Sequence, residues 1–127
     1  MFVYREWEYF CSEVSSKHTC IRIDAIPNQL LDSSWICIKH DVETDVKKAL
    51  ELAKIENRYG IQATYFIQSY LLEDNAVLLK KIADLGHEVT YHYDVLDSNG
   101  GDMDLAIEEF SDTVKKFEDH GFQVNTV

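Results

Sequence analysis

Apolar and polar positions change their spacing several times along this chain. Near the start, Trp7, Phe10, Cys11 and Val14 recur three or four residues apart, as on one face of an amphipathic helix. CIRIDAI (residues 20–26) then reads as a short edge strand or an extended lead-in. WICIKH (residues 35–40) predicts a short buried strand. After it Val46, Ala49, Leu50 and Ala53 return to helical spacing, with Asp45 near the start and Gly60 just past the end. The alternation repeats in ATYFIQ (residues 63–68), which is β-branched and aromatic; Asp74 is then placed to cap LLKKIADL, and Gly86 ends that helix. EVTYHY (residues 88–93) predicts the next strand and SNGG a loop. Met103, Ala106, Ile107, Phe110, Val114 and Phe117 form one apolar helical face ending at Gly121, and FQVNTV (residues 122–127) predicts a further strand.

Strands that alternate with helices through short connections imply right-handed βαβ crossovers and a parallel sheet, so the expected fold class is α/β. The 127 residues suit one domain, with residues 1–34 as an N-terminal helix and lead-in and residues 35–127 as the βα units.

Charge narrows the set of partners. Lys and Arg number 12 against 23 Asp and Glu, a formal charge of -11, so attraction to a phosphate backbone or an anionic membrane is lacking and neither is an expected partner. Cys11, Cys20 and Cys37 are odd in number and form no CxxC pair, which suggests core residues and neither a disulfide framework nor a thiolate zinc site. MFVYREWEYF carries Arg5, Glu6 and Glu8 where an export signal needs an apolar run, and no stretch reaches membrane-spanning length. The expected setting is a reducing cytoplasm.

In parallel α/β sheets the carboxyl ends of the strands build the site, and two polar clusters fall there: KHDVETD (residues 39–45) and GHEVTYHYDVLD (residues 86–97). Side chains alternate along a strand. His92 and Asp94 therefore share one face, while His87 looks the other way or sits in the preceding turn as a structural histidine. The same parity groups Asp41 with Glu43 and sets His40 apart, so Asp41 and His92 can converge. A carboxylate and a neutral imidazole facing one mouth suit zinc, cobalt, nickel or manganese, with an activated water completing the shell. Structural readings compete: Asp41, Glu43 and Asp45 as helix caps, which accounts best for Asp45; His92 as a hydrogen-bonded structural residue; Tyr91 and Tyr93 as packing residues before substrate platforms.

Taken together, IKHDVETDVKKAL, GIQATYFI and IADLGHEVTYHYDVL resemble the polysaccharide deacetylase superfamily, the fourth carbohydrate esterase family, from about Trp35 onward. The likeness is greatest to a branch with HDV[DE] and GHE[IV]xYHY motifs. The resemblance implies metal-dependent hydrolysis of an N-acetyl or similar acyl group on a carbohydrate. It places His40 at the general-base position, Asp41 and His92 at metal-ligand positions, and Glu43 and Asp94 as reserve ligands or contacts to substrate hydroxyls. The family's second histidine ligand falls on Leu96, which cannot bind a metal. The implied fold is an irregular (β/α) barrel of roughly 200 residues or more, of which this chain covers the first half. Weak or absent turnover follows as an expectation, and open sheet edges imply a homodimer or higher oligomer. The rival reading is a catalytically silent α/β interaction module that self-associates or binds a partner. A phosphate-transfer receiver domain fits poorly, because KHDVE lacks its acidic pair and no later strand ends in lysine.

Overall fold

The computed structural model describes residues 3–28 and 34–127. The chain enters through α1 (Tyr4–Lys17) and β1 (Thr19–Cys20), followed by a 3-10 segment at Ile23–Asn28. Next come β2 (Trp35–Ile36), β3 (Lys39–Val42), α2 (Val46–Arg58), β4 (Thr64–Gln68), α3 (Leu72–Asp84), β5 (Glu88–His92), α4 (Val95–Ser98) and α5 (Met103–Asp119). β3, β4 and β5 form a parallel sheet in that order, and β1 and β2 pair in parallel as a separate two-stranded sheet. The protein is therefore α/β with parallel βαβ units, as the alternating periods predict. No helix among the described residues is long and apolar enough to cross a membrane.

Local chemistry accounts for the helix ends. Asp45 caps α2 by accepting from the Lys48 backbone N–H at 2.9 Å, a contact worth about 1 kcal/mol. At the other end Gly60 takes φ +70°, which lets its own N–H reach Asn57 O and the Ile61 N–H reach Glu56 O, satisfying two terminal carbonyls. Gly121 closes α5 in the same manner, the Phe122 N–H bonding Phe117 O.

Four expectations change. WICIKH is not one strand: Trp35 and Ile36 pair with β1, whereas Lys39 to Val42 pair with β4, so Asp41 lies within a strand and not beyond its end. CIRIDAI supplies only Cys20 to β1 before the 3-10 segment begins; the remaining lead-in, residues 29–33, lies outside the described residues. Asp74 does not cap α3, which starts at Leu72 out of a 3-10 turn at Ser69–Leu71; Asp74 stands in the first turn, where its charge suits the helix dipole. FQVNTV forms no strand. Phe122 is buried and Val124 packs on the core, and the Thr90 hydroxyl donates to Thr126 O. The segment thus lies near β5 without a ladder of backbone bonds.

The two faces of the three-stranded sheet differ in chemistry. Register pairs Asp41 with Phe66 and Phe66 with Thr90, which sets Lys39, Asp41, Thr64, Phe66, Gln68, Glu88, Thr90 and His92 on one face. His40, Val42, Tyr65, Ile67, Val89 and Tyr91 occupy the other, and that face meets the helices: Tyr91 packs on Phe110 and Phe117 of α5, and Tyr65 reaches Glu56 of α2. The polar face is partly covered by the lead-in, where the Ile23 N–H donates to Thr64 Oγ1 and the Asp24 N–H to Glu88 Oε1.

Glu56 is the polar centre of the helix-covered side. Its carboxylate has no exposed surface and accepts from His40 Nε2 at 2.6 Å, Tyr65 Oη at 2.6 Å and Trp7 Nε1 at 3.2 Å, tying α1, α2, β3 and β4 together. Removing it takes the shared acceptor from all three, of which the Tyr65 hydroxyl is fully buried. Glu56→Ala is expected to lower the unfolding free energy by about 3 kcal/mol in urea titrations. The exposed Glu51→Ala, which loses only a contact to Lys54, should cost under about 0.5 kcal/mol.

Candidate functional site

Asp41 on β3 and His92 on β5 stand on the polar sheet face, on either side of β4. With Lys39, Phe66, Tyr93 and Val127 they line a cleft of about 190 Å³. Asp41 is held by Lys39, whose Nζ lies 3.0 and 3.1 Å from its two oxygens and 5.3 Å from the centre of the Phe66 ring. This pair is largely exposed, so it orients the carboxylate more than it stabilises the fold.

His92 is fixed from the neighbouring strand. Gln68 Nε2 donates to His92 Nδ1 at 3.1 Å, so the neutral ring carries its proton on Nε2, which faces Glu43 Oε1 at 3.8 Å. Glu43, expected as a reserve ligand or hydroxyl contact, thus stands beside His92. Asp94 lies outside this cleft, in an adjoining groove with Tyr93 and Leu96.

His40 does not join Asp41. It sits on the opposite sheet face, stacked on Tyr65 with ring centroids 4.6 Å apart and bonded to Glu56, and its side chain is only 17% exposed, bordering a separate recess of about 200 Å³. A general base at that position cannot reach the Asp41–His92 cleft without breaking the Glu56 contact.

His87 is structural. Its Nδ1 accepts from the Ala63 N–H at 3.0 Å and its Nε2 donates to Ala53 O at 2.9 Å, with no exposed side-chain surface. Both ring nitrogens are satisfied by backbone in the neutral form alone, because an added proton on Nδ1 would face the Ala63 donor. Burial lowers the His87 pKa, outweighing the Ala53 carbonyl and the Glu56 charge, which raise it; His40 and Arg22 lower it further.

No three His, Cys, Asp or Glu side chains among the described residues gather into a metal-holding group. Asp41 and His92 supply two donors where a catalytic zinc takes three from protein, so the donors present do not on their own fit a resident zinc ion. The thiols are remote from this chemistry: burial first, then the Glu56 charge, pushes Cys11 up to about 12, and Cys37 is raised by burial and by Glu88. Sequence reasoning missed Lys39 and Gln68 as partners of the two cleft residues. The parity of Lys39 with Asp41 was a usable signal; the register of Gln68 with His92 was not.

A groove of about 690 Å³ between α3 and α5 lies elsewhere, and its walls include Glu73, Asp74, Glu108, Glu109 and Asp112. It contains no histidine. No known protein family, curated protein or solved structure matches this chain.

The His87 contacts carry a pH dependence. Its folded pKa lies below its unfolded value near 6.5, so the stability it contributes is complete above that value and is lost as pH falls from there through the folded pKa. Urea unfolding between about pH 7 and pH 5 is expected to show falling stability, with a shallower slope in His87→Gln. An unchanged slope in that variant would overturn the assignment to His87.

Proposed function

We propose that this chain contributes part of a polysaccharide deacetylase-like site, one that hydrolyses an N-acetyl or similar acyl group on a carbohydrate. The observation that carries the reading is the convergence of Asp41 and His92, from strands β3 and β5, on one cleft at the carboxyl end of a parallel sheet. The HDVE and GHEVTYHY motifs that hold these two residues support it. In this reading His92 presents its Nε2 proton to the acyl oxygen, with Gln68 fixing the tautomer. Asp41 and Glu43 supply carboxylates to water or to sugar hydroxyls. A zinc-class ion belongs to the same proposal only with a third ligand from outside the described residues. A cytoplasmic setting accords with three free cysteines.

Because His40 is held away and Leu96 stands at a ligand position, the chain alone is expected to release little or no acetate from an N-acetylated sugar oligomer. Robust release, abolished by Asp41→Asn, would instead mean that the described residues suffice. Added zinc is expected to perturb the His92 ring resonances and not those of His87, and His92→Ala to remove the response. A response centred on His87 defeats the assignment.

A second reading, a non-catalytic module that self-associates, is favoured by a different observation. Strands β3 and β5 each leave one sheet edge without a strand partner among the described residues, and α5 exposes Met103, Leu105 and Ile107. Light scattering is expected to give a molar mass that rises with concentration toward a dimer or larger assembly. A constant monomer mass up to high concentration rejects it.

A further inference from the structure

The outer edge of β3 is short and carries both signs of charge. The Thr64 N–H reaches Ile38 O at 3.0 Å, and the parallel ladder with β4 continues from there through His40 and Val42. Bonding alternates along a parallel strand, so Lys39 and Asp41 turn their N–H and C=O groups away from β4. Among the described residues no further strand, turn or loop bonds to those groups. The free edge stops at Glu43, whose O already accepts from the Tyr70 hydroxyl. The opposite edge of the sheet is less open, because residues 122–127 lie near β5 and the Thr90 hydroxyl donates to Thr126 O.

Lys39 and Asp41 are also the exposed residues of β3, and both stand on the polar face. Charges on a strand edge ordinarily discourage pairing. Here their order makes the edge complementary to itself. Two copies of β3 laid antiparallel about a two-fold axis at His40, normal to the sheet, set each Lys39 across from Asp41 of the second copy. In that register the facing residues exchange N–H and C=O bonds, so every free group on both edges is satisfied. Moving the axis to Asp41 sets that carboxylate against its own copy and calls on Glu43 O, which is taken; moving it to Lys39 opposes two ammonium groups.

We propose that β3 is the seam of a homodimer, in which a second copy extends the sheet antiparallel in the register centred on His40. The proposal rests on the reading of the chain as a self-associating module and names its contact. The facing Lys39 and Asp41 side chains carry no net charge between them, which limits repulsion at the seam of a chain whose formal charge is -11. The Lys39–Asp41 pair within one copy, at 3.0 Å, is largely exposed, so exchanging it for pairs across the seam gives up little. Both copies then present their polar faces to the same side.

The test is sedimentation equilibrium of the full chain and of two charge variants, Lys39→Asp and Asp41→Lys, at low ionic strength, where such pairs are least screened. The parent chain is expected to dimerise. Each variant alone brings like charges together across the seam and should raise the dimer dissociation constant by about tenfold or more. A mixture of the two should recover a heterodimer, and a chain carrying both substitutions a homodimer, each within about threefold of the parent affinity, because every facing pair is again opposite in charge. That recovery also shows that the variants fold. A monomer mass for the parent chain at all concentrations overturns the proposal together with the self-association reading. A parent dimer that neither variant weakens overturns the seam alone and leaves that reading standing, as does a dimer abolished only by Ile107→Asp on α5. Weakened variants that neither mixing nor the double substitution restores also overturn it.

Discussion

A carboxylate with no exposed surface, Glu56, lies between α1, α2 and the sheet, and the arrangement of the polar clusters depends on how it is satisfied. Burying such a group is unfavourable unless donors surround it, and here they come from Trp7, His40 and Tyr65 on three different elements. Drawing His40 toward the helices fixes the parity of β3. Lys39 and Asp41 must then face the other side, and the parallel register carries that choice across to Phe66 and Thr90. A one-residue slip would place Asp41 against the core and lose both arrangements at once.

The consequence is a sheet with two unlike faces. Parallel sheets are ordinarily apolar on both sides because helices cover both. In this sheet the helices cover one side, and the other carries threonines, Gln68, Glu88, Asp41 and His92. Part of this polar surface is answered internally: Thr64 donates to Glu88, and backbone N–H groups of the lead-in complete the contacts at that end. Toward the carboxyl ends the internal partners thin out. Asp41 has Lys39 and His92 has Gln68, and both remain open to a cleft, which is where parallel α/β sheets place ligands.

The geometry also divides residues that the motifs present together. His40 and Asp41 are adjacent in HDVE, yet one serves the core and the other the cleft. Leu96, at the position of a second histidine ligand in the resembling family, is exposed on the short helix α4 and lines the groove beside Tyr93.

Much of the framework is legible in the residues. Periodicity marked α1, α2, α3 and α5, Asp45 and Gly60 marked the ends of α2, and strand parity alone separated His40 from Asp41 and His87 from His92. These are local properties, set by 3.6- and 2-residue repeats and by backbone groups within a turn. Other features rest on partners far apart in the chain: His40 with Glu56, Gln68 with His92, and Thr90 with Thr126. No repeat encodes such pairs. The division of WICIKH between two sheets and the failure of residues 122–127 to form a strand have the same origin, because a strand exists only where a neighbouring backbone is in register to accept its hydrogen bonds. The sequence by itself determined which residues were free to face the cleft; packing around Glu56 and the register of three strands decided which of them line it.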